Sequence, residues 1–230
     1  MECKDYELER YSFLSIVCDG TTFHAVALVR VGGGQPSSKK CMKKFHEVWV
    51  QWAGYPCVVA TDRGLHNRGS FSRGLAANGV YQRVAGVEAA EQIGRGERHG
   101  GIFKNNLKQV VQAHKVTGKE QMKMAAAMWV NNKNEMCRKG GVAPSQWVLG
   151  RYPRGVARLL EEEELGQLGA LQGAVDPSTE WGLRAQYRLT SQKAFVKQDC
   201  SQRYMRAMLR NSGPIAKPYA HGDLIMYRKE

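Results

Sequence analysis

Two runs rich in aromatic and β-branched residues open the chain, 11–18 (YSFLSIVC) and 21–31 (TTFHAVALVRV), with Asp19-Gly20 between them. That pattern predicts a β-hairpin. After a glycine-rich break at 32–36, Ser37 and Ser38 offer N-caps to a helix over 39–52, in which Met42, Phe45, Trp49 and Trp52 recur at intervals of three and four. The apolar run 57–61 (CVVAT) sits between Pro56 and a polar stretch, as expected of an interior strand that delivers Asp62 at its carboxyl end. A short helix over 70–77 and a strand over 80–84 follow, then a glycine-rich loop over 86–96. Ile102, Phe103, Leu107, Val110, Val111 and His114 repeat at helical spacing over 97–116, and Gly118 separates that helix from another over 119–138.

Strands followed by helices that must bury an apolar face predict an α/β layer architecture. Residues 1–152 form the expected core. Beyond Pro153 the pattern changes to a leucine-rich segment with the acidic run 161–164, and then to a long basic helix over 181–210. Arg184, Arg188, Lys193, Lys197, Arg203, Arg206 and Arg210 return to neighbouring sides of that helix. It is a candidate phosphate rail or a solvated tether. Segment 153–212 is thus expected to be a helical basic extension, and 213–230 a turn entering one strand, which cannot form a sheet alone.

Hydrophobic residues make up 43% of the 230 positions and charged residues 24%, too apolar a mix for a disordered chain. No apolar run approaches the roughly 18 residues of a membrane span, and the charges after Met1 leave no room for a secretory signal. An intracellular protein with reduced thiols is expected, since the six cysteines show no CxxC spacing. The excess of 34 basic over 21 acidic side chains, formally +13, points to a polyanionic partner, with nucleic acid the first to test.

Asp62 and Glu97 are separated by 34 intervening residues, each in a polar, glycine-flanked setting that does not read as core. Carboxylates at a strand end and a helix start suit a divalent cation, which takes hard oxygen ligands and leaves positions for phosphate and water. An aspartate capping a turn and a glutamate meeting a helix dipole are the plainer readings. The surrounding residues are more specific. Thr61-Asp62-Arg63-Gly64-Leu65-His66-Asn67, the stretch Gly94 to Lys104 around Glu97-Arg98, and Pro144-Ser145-Gln146-Trp147-Val148-Leu149-Gly150 resemble three motifs of the integrase catalytic core of retroviruses and long-terminal-repeat retrotransposons, most closely pol-derived integrases of protist elements.

The resemblance spans about 11–152. It implies an RNase H-like mixed sheet flanked by helices, and three acids holding two Mg²⁺ or Mn²⁺ ions for in-line phosphodiester displacement. Processing of element 3′ ends and their transfer to target DNA would follow, by a homo-oligomer acting in the nucleus after cytoplasmic synthesis. It assigns Asp62 and Glu97 as catalytic metal ligands and Arg98, Lys104, Lys108, Arg63 and Asn67 as DNA contacts. Lys104 stands two helical turns beyond Glu97, with Lys108 next in the row. His66 and His99 read as surface-turn residues or as participants.

The family's first acid falls just before Met1, and neither Asp5, in the hairpin's polar turn, nor Asp19 replaces it. The chain is therefore expected to be truncated at its amino end and, as it stands, inactive. The family's zinc module has no counterpart, and only the first strand of its carboxy-terminal barrel is expected. A non-catalytic nucleic-acid-binding remnant of a transposable element is the alternative.

Overall fold

The computed structural model describes residues 1–86, 94–137, 141–150 and 179–209. Strands β1 (Glu2–Lys4), β2 (Arg10–Val17) and β3 (His24–Val31) form an antiparallel sheet in that order. Tyr11 and Phe13, two residues apart on β2, lie on one face by the strand's alternation, and the register shifts between Ser12 and Phe13, where Val29 of β3 is left without a partner in the pairing. Helix α1 (Ser38–Phe45) starts where the Ser37 hydroxyl accepts from the Lys40 amide at 3.3 Å, and it continues through a π-helical stretch, His46–Val50, into α2 (Gln51–Ala53). Strand β4 (Val58–Thr61), helix α3 (Ser70–Ala77) and strand β5 (Tyr81–Val84) make a β–α–β unit whose two strands pair in parallel.

Helices α4 (Gly94–His114) and α5 (Gly118–Met136) cover one face of the three-stranded sheet; α6 (Pro144–Leu149) and α7 (Glu180–Leu209) follow. Phe13 meets Phe103 edge-on at 5.5 Å, and Phe103 meets Trp129 at 5.3 Å, in a core that also buries Tyr11, Leu107, Val110 and Met122. On the opposite face, Leu14, Ile16 and Val29 pack under Cys41, Phe45, Phe71 and Leu75 of α1 and α3. The alternation along β2 and β3 thus serves two cores, giving three layers.

The expected mixed α/β layering is present, and among the described residues its strands pair in two groups, β1-β2-β3 and β4-β5. One expectation changes. Strand β4 is not interior: only Thr61 is buried, and Val58 is half exposed, since helices cover one side of this pair. The compact unit that contains the core runs from Met1 to Phe195. Tyr187 belongs to the main core, Asn132 Nδ2 donates to the Arg188 carbonyl at 2.8 Å, and His114 Nε2 and Thr190 Oγ1 lie 2.7 Å apart.

A second unit begins at Val196; its described part is the end of α7, with Val196, Tyr204, Met205 and Met208 exposed. Of the basic row on α7, Arg184 pairs with Glu180, Arg188 with Glu135 and Arg203 with Asp199, all on exposed guanidiniums. The acidic segment 161–164, the strand expected after 213 and most of the loop over 86–96 lie outside the described residues. All six cysteines are free thiols, and no helix among the described residues is long and apolar enough to cross a membrane.

Candidate functional site

Strand β4 ends at buried Thr61, so the next side chain, Asp62, emerges at the rim of the sheet with about half its surface exposed. Its rotamer is fixed from one side. Oδ1 accepts from the Gly64 amide at 2.9 Å and from the Asn67 amide group at 2.6 Å, while Oδ2 accepts nothing among the described residues. A Cβ at Gly64 would run into His66 Cε1 and lie 2.9 Å from Asp62 Oδ1, so a side chain there would displace the His66 ring and press on the carboxylate. Asn67 ends a 3₁₀ turn (Leu65–Asn67) and is itself held by β5, where Gln82 Nε2 donates to the Asn67 carbonyl at 2.8 Å and to Thr61 Oγ1 at 3.0 Å. One oxygen of the carboxylate is thereby saturated by neutral donors and the other left open.

Glu97 stands exposed in the first turn of α4, with no hydrogen bond or ion pair among the described residues. Gly100, Lys104 and Lys108 share its face at helical spacing. That face packs on the start of β1: a Cβ at Gly100 would come within 2.9 Å of Met1 Sδ. The Met1 amino group donates to the Phe13 carbonyl at 2.8 Å, and its pKa is lowered, chiefly by burial and next by the Lys104 ammonium, with Asp62 acting in the opposite sense. Met1 thus packs against the Gly100 turn of α4, one turn beyond Glu97.

Two other acids near the start of the chain have different work. Asp5 is buried, accepting from the Glu9 amide at 2.9 Å, the Tyr11 hydroxyl at 3.0 Å and the Gly118 amide that opens α5 at 3.2 Å. Asp19 pairs with Arg95 at 2.7 Å. Among the described residues no three His, Cys, Asp or Glu side chains come close enough together to hold a metal ion.

Of the expected DNA contacts, Lys104, Lys108, Arg98 and Arg63 are exposed, and Arg63 Nε is tied to the Ala85 carbonyl at 3.0 Å. Asn67 differs: it is buried, and its side-chain amide donates to Asp62 Oδ1. His99 is no surface-turn residue either. It is 9% exposed, 6.1 Å from the ring of fully buried His24, and burial, then Lys133, lowers its pKa to about 4. His24 is held well below the usual range by the same causes, and Lys133, buried with Nζ on the Thr22 carbonyl, is lowered to about 8 by burial.

Sequence reasoning missed Gln82, Arg68 and Ser72. A shallow cleft of about 140 Å³ opens beside Asp62, and these three line it with Arg63 and Asn67. Glu97 does not line this cleft, so the two acids do not face one another across it.

No family profile and no curated protein matches the chain. Solved structures do. The catalytic core domain of HTLV-2 integrase, solved in complex with magnesium, is similar in a dimeric form (16% identity, TM-score 0.50, 66% of this chain and 91% of that one) and in a trimeric form (17%, 0.50, 64% and 90%). A chain of the simian T-cell lymphotropic virus intasome, in complex with the PP2A regulatory subunit B56 gamma, is similar at 16% identity and a TM-score of 0.53, over 68% of this chain and 53% of that one. The chain has the mixed α/β fold of a retroviral integrase catalytic core.

Proposed function

We propose that this chain is an integrase-type polynucleotidyl transferase core of a retrotransposon, acting on DNA through Asp62 and Glu97. The observation that supports the reading is an exposed Asp62 at a strand end, one oxygen held by Gly64 and Asn67 and the other open, within an integrase-core fold that also offers Glu97 unpaired among the described residues in the first turn of α4. Mg²⁺ is commonly held by one or two carboxylates, the remaining positions going to water and phosphate oxygens, so this donor set fits it. Bound there, the cation would supply Lewis-acid stabilisation of the charge that builds on the phosphate oxygens.

The protein's own groups do the rest. Asn67 and Gly64 hold Asp62 Oδ1, leaving Oδ2 to the ligand side. Glu97 offers its carboxylate without an ion pair to break first. Lys104 and Lys108 would lie along the DNA backbone, neutralising phosphates without reading bases. In end processing, a water oxygen bonds to phosphorus as the P–O3′ bond breaks, and the departing 3′ oxygen ends protonated. In strand transfer, that 3′-hydroxyl is the incoming group, its proton lost to solvent, and a target-strand P–O3′ bond breaks.

A cleavage-free DNA-binding role is favoured by one observation, the lack of a three-ligand cluster among the described residues. The two readings separate on duplex oligonucleotides carrying element ends, incubated with Mn²⁺ or Mg²⁺. Nicking and joining that Asp62→Asn or Glu97→Gln reduces at least 100-fold, with DNA binding retained, supports the transferase. Metal-independent binding with no cleavage by the unaltered chain sinks it in favour of the binding role. Oligomeric assembly and action in the nucleus belong to this proposal as well.

A further inference from the structure

We propose that the cleft beside Asp62 is a subsite for one backbone phosphate of a DNA strand, held by Arg68, Arg63 and Ser72. The inference rests on the reading of the chain as DNA-binding and adds contacts that the Lys104 and Lys108 row of α4 does not supply, since neither lysine lines the cleft. The cleft, about 140 Å³, is roomy enough for a phosphate group with a water or two, a water occupying about 30 Å³ of liquid volume.

Its cations outnumber its acids. Two guanidiniums and one carboxylate line it, yet neither Arg63 nor Arg68 pairs with Asp62, whose Oδ1 already takes the neutral donors of Gly64 and Asn67. Arg68 makes no ion pair or side-chain hydrogen bond among the described residues, and the Ala85 carbonyl holds Arg63 by Nε alone. A guanidinium fork of this kind matches phosphate oxygens two at a time. Ser72, in the first turn of α3, adds a hydroxyl, and that turn contains no acid to repel an anion.

The lining also decides between a phosphate and a base. Capture of an unstacked base uses an aromatic face. Here Val84 is the sole apolar side chain of the lining and no ring is present. A free phosphate or mononucleotide shares the same chemistry, so the test must distinguish it from a strand.

The measurement is fluorescence anisotropy of the full chain with a labelled duplex in EDTA, across a salt series, so that it reads binding whether or not the protein cleaves. Arg68→Gln and the Arg68→Gln/Ser72→Ala double variant are expected to weaken binding at least five-fold for all sequences alike. The slope of log K against log salt should fall in magnitude by about one, the value for losing one phosphate contact. Arg68→Lys, which keeps the charge, should recover part of the loss, and Arg73→Gln, on α3 outside the cleft, should bind as the unaltered chain does. Unchanged affinity and slope in folded Arg68→Gln would overturn the proposal while leaving the Asp62 and Glu97 experiment untouched. Inorganic phosphate binding, lost in Arg68→Gln while DNA affinity stays constant, would overturn it in favour of a small-anion site.

Discussion

Asp62 shows how much of a functional carboxylate's behaviour is decided by residues that do not touch the ligand. An exposed aspartate on a turn samples several rotamers, and a cation bound to it must pay the cost of freezing them. Here the cost is met on folding: Gly64 and Asn67 grip Oδ1, and Gln82 grips Asn67 from β5. Removing such an outer support commonly lowers metal affinity 10- to 100-fold. Asn67→Ala is therefore expected to raise the Mn²⁺ dissociation constant by about ten-fold, and Gln82→Ala by less, because Gln82 acts only through Asn67. Calorimetric titration with Mn²⁺ checks this, with circular dichroism to confirm the fold. An Asn67→Ala protein that binds Mn²⁺ like the parent would show that the clamp serves the turn alone. The clamp was only half legible beforehand: the position of Asn67, five residues after the acid, was visible in the motif. Its partner on β5 was not, since Gln82 reads as one polar residue in an edge strand until the β–α–β unit brings it beside the turn.

Helices and strands whose apolar spacing is regular were read almost to their ends. Helix α3 over 70–77 and the hairpin strands follow from local pattern and turn residues, and α1 from the Ser37 cap. Burial was less legible, because an apolar run such as 57–61 does not reveal whether a second layer covers it. Helix α7 is the clearest instance at this scale. Its Arg-rich sequence suggested a solvated rail, yet Tyr187, Ser191 and Ala194 are buried, and Arg188 reaches Glu135 at 2.9 Å. With Gly182 these make four buried positions among the described residues of a mainly polar helix, too few to raise a periodic signal, though they suffice to anchor it. A fragment ending at residue 152 is accordingly expected to be markedly less stable than one ending at residue 195. In the full chain Tyr187→Ala should cost about 3 kcal/mol, in the range for emptying a buried aromatic site. Denaturant unfolding of the two fragments and the variant checks it. Equal midpoints would return α7 to the role of a tether.

For the molecule as a whole, the charge excess was legible from composition, but the charges that oppose folding were not. His24, His99 and Lys133 read as scattered polar residues, and only the packing of β3 against α4 and α5 buries them together. Burial holds both histidines neutral in the folded state, His99 down to about 4, and lowers His114 as well. Unfolded, each returns to its ordinary value of about 6.5. Between roughly pH 6.5 and 4 the unfolded chain therefore binds more protons than the folded one, so stability present above 6.5 is lost as the pH falls, by up to about 1.4 kcal/mol per unit for each group. Lys133 has the same sign at higher pH, gaining stability from about 8 upward, while the Cys3 thiol, raised to about 11, opposes it above its ordinary value of 9. The acid limb is the cleaner test, because the window from pH 7 to 5 lies above ordinary carboxylate titration. The melting temperature at constant ionic strength is expected to drop across that window, and His24→Phe with His99→Phe should flatten the drop even if it lowers the plateau. A parent protein that melts at the same temperature at pH 7 and pH 5 would mean that these rings reach solvent or a counter-charge in the folded state.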